Sequence, residues 1–437
     1  MDTGWAFKMK NWLALAHADV RLPLVAHDIR TPRANGPTCS PADKAHARAD
    51  ALLAKAIATG GERFATPGTA ELGPLLRRIG GARIVLIGES TQGTAEFYRM
   101  RDRISRDLIE QKGFSFVAID GDWAAAARID RHVRGLHTDS AEQTADAVAS
   151  TWVGRHREMR SFVDWLHGHN KRTARPVAFH GLDPYGLHAP IRAVLPYREG
   201  APMPTDTLHP QLPFGTSDGS CHFDAPQIAR SFANAEHDDR AICHGSRAAW
   251  NLRAGHLFDT LKRLLELHGP RSKGIVWAHN AHIGDSSATE MARHGVFNLG
   301  HLCRRQFGRG VYTIGLGTNS GTVAAASDWC APMETKTVRP GPAGSYEKLF
   351  HEAGAARFLL PLAAAPSVEL ARGLASPRLE RAIGAVYRPE AGHEGHYLEA
   401  VLARQFDEYI WFDETHAVTP LAPPPLEGRR ESDPFGL

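Results

Sequence analysis

Cysteine is scarce and follows no pairing pattern: the 437 residues hold five, Cys39, Cys221, Cys243, Cys303 and Cys330, with no C-x-x-C spacing. An odd, scattered set excludes a disulfide framework and a thiolate zinc centre, and reduced thiols point to a cytoplasmic location. Long apolar runs are missing as well. The stretch Phe358-Leu359-Leu360-Pro361-Leu362 is interrupted by proline and too short to cross a bilayer. Lys8, Lys10, Arg21 and Arg30 are interspersed with acids and prolines, without the basic, apolar, small-residue order of a secretion signal. Charge of one sign is also lacking: 51 basic against 48 acidic side chains leave a net +3. That excludes the strong field needed for nucleic acid or an acidic membrane face, so the expected partner is a neutral or mildly polar small molecule. Oligomeric state is not readable from these features.

The remaining composition is that of an ordinary globular protein, with 43% hydrophobic and 23% charged residues. Residues 1 to 43, rich in Pro, Gly, Ser and Thr toward their end, read as a poorly ordered leader, and 425 to 437 as a tail. Between them, residues 44 to 424 read as one domain. Strands are expected at 83 to 87 and 115 to 120, followed by helices at 94 to 111 and 123 to 134. Further helices are expected at 155 to 170 and 246 to 267, and further strands in "GIVWAHNAH", "GVYTIGL", "ARFLLPL", "AIGAVY" and "EYIWF". Phe97, Met100, Ile104 and Leu108 form an apolar stripe at helical spacing, while "FSFVAID" is almost continuously apolar, as in a strand covered on both faces. This alternation predicts an α/β fold with a mostly parallel sheet flanked by helices. The proline-rich stretch from about 199 to 245 is expected to leave the core as a helical excursion that roofs a cleft.

Short motifs mostly fail. "GESTQG", Gly88 to Gly93, has the glycines of a phosphate loop but Thr94-Ala95 where lysine and a hydroxyl are needed. It is not a nucleophile elbow either, since Gln92 stands where that sharp turn requires glycine, and "GTSDG" around Ser217 lacks the flanking strand and helix. "HEGH", His393 to His396, has the wrong spacing for a helical zinc motif and two interrupting glycines nearby.

What remains is a set of polar strand ends: Glu89 and Gln92 after the first strand, Asp120 and Asp122 after the second, and His279, Asn280 and His282 after a later one. The carboxyl ends of parallel strands share one rim, so these groups can meet in one cleft. Singly, each has a structural explanation as a helix cap or a partner for a backbone carbonyl. Together they suit water activation, with an imidazole as base, a carboxylate to orient it and an amide or second imidazole to steady an oxyanion. Glu89, Asp120 and His282 would equally suit a divalent metal.

In content and order, "LIGESTQGTAEFYRMRDRISRDLIEQKGFSFVAIDGDW", "FHGLDPYGL", "WNLRAGHLFDTL", "VWAHNAHIGD", "GTVAAASDW", "AIGAVYRPE" with His396-Tyr397, and "DETHAVTPL" resemble the erythromycin esterase family, from about residue 45 to 422. The resemblance implies an α/β core with added helices and opening of a macrolide lactone by an activated water, with no covalent serine and no cofactor. The family's glutamate falls on Glu89, but its base histidine falls on Gln92, an amide that cannot take up a proton near neutral pH. Its second acidic residue falls on Asp120, one methylene short of the usual glutamate. His279 and His282 match, as do Arg253 and His256, while Ala254 replaces a common aspartate. The reading preferred on the sequence is a metal-independent hydrolase of an ester or lactone, with a possible antibiotic-resistance role. Glu89, Asp120, His279 and His282 would be catalytic, with Gln92, Asp122, Asn280, Arg253, His256, Arg388, His396 and Tyr397 contacting substrate. The alternatives are a binding protein that has lost turnover and a metal-dependent hydrolase.

Overall fold

A computed structural model describes residues 41–136, 155–183, 247–328, 331–392 and 395–421. Most of the expected leader, the 199 to 245 excursion and the 425 to 437 tail lie outside the described residues. The first helix, α1 (Pro41–Gly60), starts slightly before the expected domain boundary.

The strands are β1 (Glu62–Arg63), β2 (Ile84–Ile87), β3 (Phe116–Asp122), β4 (Ala178–Asp183), β5 (Gly274–Trp277), β6 (Val311–Ala326), β7 (Met333–Val338), β8 (Arg357–Pro361), β9 (Arg378–Arg381), β10 (Tyr397–Ala400) and β11 (Glu408–Thr415). Nine of them form one sheet in the order β1-β8-β11-β6-β2-β5-β3-β4, with β7 paired on the far half of β6. From β11 through β6, β2, β5 and β3 to β4 every pairing is parallel; the antiparallel pairs are β1 with β8, β8 with β11 and β6 with β7. The α/β class and mostly parallel sheet follow the sequence expectation. "AIGAVY" differs: β9 ends at Arg381, and the next residues make single bridges, Ile383 to Thr91 and Val386 to Ala326. Crossing the sheet rim, this segment bonds first to the Thr91 loop and then to Ala326 at the end of β6 instead of lying along one strand.

Alternation within the central strands builds two cores. On one face Val85, Ile87, Val117, Ile275 and Trp277 meet the stripe of α2 (Ala95–Lys112), Phe97, Met100, Ile104 and Leu108. Phe162, Val163 and Leu166 of α4 (Arg157–Asn170) complete that layer. On the other, Ile84, Leu86, Phe116, Ala118 and Val276 meet Leu257, Leu261 and Leu264 of α5 (Arg247–Leu267). Helix α3 (Trp123–Val133) follows β3 directly, so the chain turns at the rim with almost no loop.

Register then assembles the polar ends. Ile87, Trp277 and Ile119 lie side by side in β2, β5 and β3, so Glu89 and His279 emerge two residues past this level and Asp120 one residue past it. Both glycines of "GESTQG" are fixed by crowding. A Cβ on Gly88 would sit 1.9 Å from Asn280 Oδ1, and one on Gly93 2.2 Å from the carbonyl oxygen of Ala324. Gly93 also has φ of +82°, disfavoured for any side chain. Gly93→Ala is expected to lower unfolding free energy by about 1–3 kcal/mol, measured by denaturant titration; an unchanged midpoint would contradict this account of the loop.

Candidate active site

Glu89 leaves β2 and is 3% exposed. Beneath it lies Arg101 of α2, 2% exposed, whose Nη1 stands 3.1 Å from Glu89 Oε2 at ion-pair distance but outside hydrogen-bond alignment. Arg101 donates its remaining hydrogens to backbone oxygens: Nε to Gly88 at 3.1 Å, and Nη2 to Ile87 at 3.2 Å and Ala278 at 2.6 Å. It therefore ties the ends of β2 and β5 together while facing Glu89. Burial raises the pKa of Glu89 above the ordinary carboxylate range; Arg101 opposes this and the charge of Asp120 adds to it.

A second guanidinium organises the other carboxylates. Arg253 of α5 donates Nη2 to Asp120 Oδ1 at 2.7 Å and Nε to Asp183 Oδ2 at 2.7 Å, and its Nη1 lies 3.2 Å from His282 Nε2. Asp120 Oδ2 is 3.4 Å from the same imidazole nitrogen. Burial pushes the Asp120 pKa up, but the charges of Arg253, His282, His279 and Arg101 outweigh it and hold the group below its ordinary value.

The two histidines sit on the short helix α6 (Asn280–Ile283) and its cap. His279 caps it, with Nδ1 accepting from the Ala281 amide at 3.1 Å and Nε2 3.2 Å from the Ile383 carbonyl oxygen. These partners place its proton on Nε2 and leave it neutral. Burial is the main reason its pKa falls to about 4. His282 stacks on Trp250 with ring centres 4.8 Å apart and falls to about 3, again chiefly through burial, with Arg253 reinforcing the shift and Asp120 opposing it.

The structure thus brings together Glu89, Asp120, His279, His282 and Arg253. Other expected residues have structural partners. Asp122 Oδ1 caps α3 by accepting from the Ala125 amide at 2.7 Å. Asn280 Nδ2 donates to the Leu316 carbonyl at 3.1 Å and to Glu380 Oε1 at 3.2 Å, locking the helix α6 turn to β6 and β9. His256 Nε2 lies 3.4 Å from Thr260 Oγ1, one turn further along α5. Arg388, His396 and Tyr397 form a second group. Arg388 donates to the Ser327 carbonyl at 2.8 Å and to Asp328 at 2.6 Å, and its own carbonyl oxygen lies 3.2 Å from His396 Nε2. Tyr397 Oη accepts from Arg381 at 2.6 and 3.0 Å. Gln92 is half-buried; its backbone N–H donates to the Ile383 carbonyl at 2.9 Å, and its buried side-chain Oε1 has no hydrogen-bond donor among the described residues.

Two members of this group were missed from sequence. Arg101 carried a readable signal, a charge set between Met100 and Ile104 on the apolar stripe of α2, where only a buried counter-charge explains it. Asp183, 1% exposed at the end of β4, follows the same strand-end rule that singled out Asp120. The three ligands weighed for a metal face guanidinium groups instead: Glu89 meets Arg101, and Asp120 and His282 meet Arg253. Among the described residues no group of three or more His, Cys, Asp or Glu side chains is arranged to hold a metal ion. No described helix is long and apolar enough to cross a membrane.

The erythromycin esterase family model matches residues 109–207 and 205–415. The chain belongs to the erythromycin esterase family. Erythromycin esterase type II of Escherichia coli is 27% identical over 117 residues, an alignment spanning 25% of each protein. The chain thus matches only about a quarter of the length of that curated relative. Three solved structures share the fold. A Bacillus cereus protein aligns with TM-score 0.64 and 18% identity over 85% of this chain and 99% of its own. A succinoglycan biosynthesis protein aligns with TM-score 0.63 and 18% identity over 84% and 98%. A histidine-to-asparagine mutant of the erythromycin esterase EreC, in its open conformation, gives 0.59 and 15% over 80% and 96%. The family resemblance read from the sequence blocks therefore holds.

The lowered histidine pKa values carry a stability consequence. Folded His279 and His282 bind fewer protons than the unfolded chain between their unfolded value of about 6.5 and their folded values of about 4 and 3. Their contribution is present above pH 6.5 and declines as pH falls through that window. Replacing His282 by Asn is expected to flatten the acid-side slope of Tm against pH; an unaltered slope would show that His282 is already protonated when folded.

Proposed function

We propose that this chain hydrolyses a carboxylic ester or lactone of a small molecule, using a water activated by Glu89. One observation carries the reading. Glu89 Oε2 and Gln92 Oε1 are buried acceptors three residues apart in one loop; among the described residues Gln92 Oε1 has no protein donor, and Glu89 Oε2 has only the poorly aligned Arg101 guanidinium 3.1 Å away. Buried acceptors call for donors, and a water supplies two. With His279 engaged at both nitrogens and His282 facing Arg253, the carboxylate is the better base. The expectation of a histidine base is replaced by Glu89, whose raised pKa suits proton transfer nearer neutrality.

In this scheme Glu89 takes a proton from the water as its oxygen attacks the ester carbonyl carbon. Gln92 Oε1 accepts the water's other hydrogen and orients the lone pair. As the tetrahedral intermediate collapses, the carbon to alkoxide bond breaks and Glu89 returns the proton to the leaving oxygen, giving acid and alcohol. Arg253, held by Asp120 and Asp183, supplies positive charge near the reacting centre. Family membership supports a macrolide lactone as the first substrate to try, with antibiotic resistance as the consequence. Cys303, a buried free thiol, is consistent with the cytoplasmic location expected from sequence.

A binding protein without turnover is the second reading, favoured by one feature: position 92 carries no imidazole and both nearby imidazoles are engaged. Hydrolysis of macrolide and simple aryl esters should separate them. The wild type is expected to turn over, and Glu89→Gln to lose about 10²- to 10⁴-fold in kcat. Turnover that appears only in Gln92→His would establish the binder. The pH profile should rise above the ordinary carboxylate range; a limb near pH 3 or 4 would return the role to His282 or His279.

A further inference from the structure

Behind the site lies a second buried polar group that the proposed chemistry does not use. Glu380 of β9 and Glu347 of α7 (Tyr346–Glu352) are both fully buried, and Arg381 is 1% exposed. Glu347 Oε1 accepts from the Arg381 backbone amide at 2.9 Å, while Arg381 donates its side-chain hydrogens to Tyr397 Oη and, at 2.7 Å, to the Arg339 carbonyl. Arg378, on the same strand, is bound to Asp50. Among the described residues Arg381 offsets Glu347 while no cation acts on Glu380, so charge balance in a dry environment favours Glu380 keeping its proton.

Glu380 is the one positioned to matter for the site. Its Oε1 accepts from Asn280 Nδ2 at 3.2 Å, and Asn280 is further held by Leu316, whose carbonyl accepts at 3.1 Å and whose amide donates to Oδ1 at 3.4 Å. Gly88 leaves room for this amide, since a Cβ there would lie 1.9 Å from Asn280 Oδ1. Asn280 is the first residue of the α6 turn that carries His282, and His279 is its cap. Three residues beyond Glu380, the Ile383 carbonyl takes hydrogen bonds from His279 Nε2 and the Gln92 amide, and the Ile383 amide donates to the Ser90 carbonyl at 2.9 Å. The segment 380 to 383 is thus a strut under both catalytic loops.

We propose that Glu380, kept neutral by the charge count around it, is a positioning residue that fixes Asn280 and, through it, the His279–His282 turn. The groups facing it agree. Burial and the charge of Glu347 raise its pKa to about 8, with the neighbouring amides of Asn280 and of Gln405 in α8 (Leu402–Gln405) opposing. Tyr409 of β11 and Tyr346 of α7 feel the same negative charge and remain neutral, and Tyr397 of β10 is held by Arg381. Its stabilising contribution is full below the unfolded value of about 4.5 and is lost as pH rises through about 8. Ionisation places an unbalanced charge beside Glu347, and the strut then loosens.

The role in turnover rests on the hydrolase reading, so the test includes readouts independent of it. In wild type, Tm should fall from about pH 4.5 and level off above about 8, and the slowly exchanging Nε2 proton of His279, followed by nitrogen-15 histidine NMR, should be lost as pH passes through about 8. Glu380→Gln should flatten the Tm slope and retain the His279 signal to higher pH, and should move the alkaline limb of the rate profile upward. Glu347→Gln should shift the transition to lower pH, because the like charge that helps raise the Glu380 pKa is then removed. If Glu380→Gln and wild type share one pH dependence in both Tm and the His279 signal, the proposal is overturned. If these shifts occur but no ester is hydrolysed, the positioning role stands and the hydrolase reading fails.

Discussion

Arg101 is the constraint on which the site depends. A guanidinium that is 2% exposed must satisfy its donors internally, and it does so on the carbonyl oxygens of Ile87, Gly88 and Ala278. Those oxygens belong to the exits of two neighbouring parallel strands, so one side chain fixes where both polar loops leave the sheet. Its charge also makes it possible to bury Glu89. Breaking such a pair would strand the other charge at a cost of about 3–5 kcal/mol. Fold and site are therefore joined at this residue.

A division of labour follows among the ionisable groups at the rim. Asp120 and Asp183 share Arg253 and are held as charges, whereas Glu89 has only a poorly aligned partner and a like charge in its neighbourhood. Carboxylates pushed in opposite directions by their surroundings are how one site separates an electrostatic role from a proton-transfer role. The histidines, desolvated and neutral, serve as hydrogen-bonding structure. With Gln92 at the end of the same loop, the raised and poorly satisfied acid of this rim is Glu89.

Much of this was legible in the sequence because parallel α/β sheets obey a simple rule: apolar runs become central strands, and the polar residues after them reach one rim. That rule anticipated that Glu89, Asp120, His279 and His282 reach one rim, and helical spacing gave the stripe of α2 nearly residue for residue. It failed where roles depend on partners supplied from far along the chain. Asp122 looked like a site carboxylate and is a helix cap, because α3 begins immediately after β3. Asn280 looked like a substrate donor and is committed to Leu316 and Glu380, partners more than thirty residues distant. "AIGAVY" looked like a strand because its composition is that of one; tertiary crossing of the rim overrode the propensity. Arg388, His396 and Tyr397 entered as site residues through the family blocks; Tyr397 is tied to Arg381 within the β9–β10 pair, while Arg388 reaches Ser327 and Asp328 just beyond β6.

The central claim, that Glu89 is a buried carboxyl group with a raised pKa and therefore the proton acceptor, is tested most directly by carbon-13 NMR titration of glutamate side chains in the folded protein, with Glu89 assigned by its loss in Glu89→Gln. The account predicts a resonance titrating above the ordinary carboxylate range, with a midpoint matching the rising limb of the rate profile. A Glu89 signal that titrates below about 4.5, or a midpoint unrelated to the rate, would contradict it.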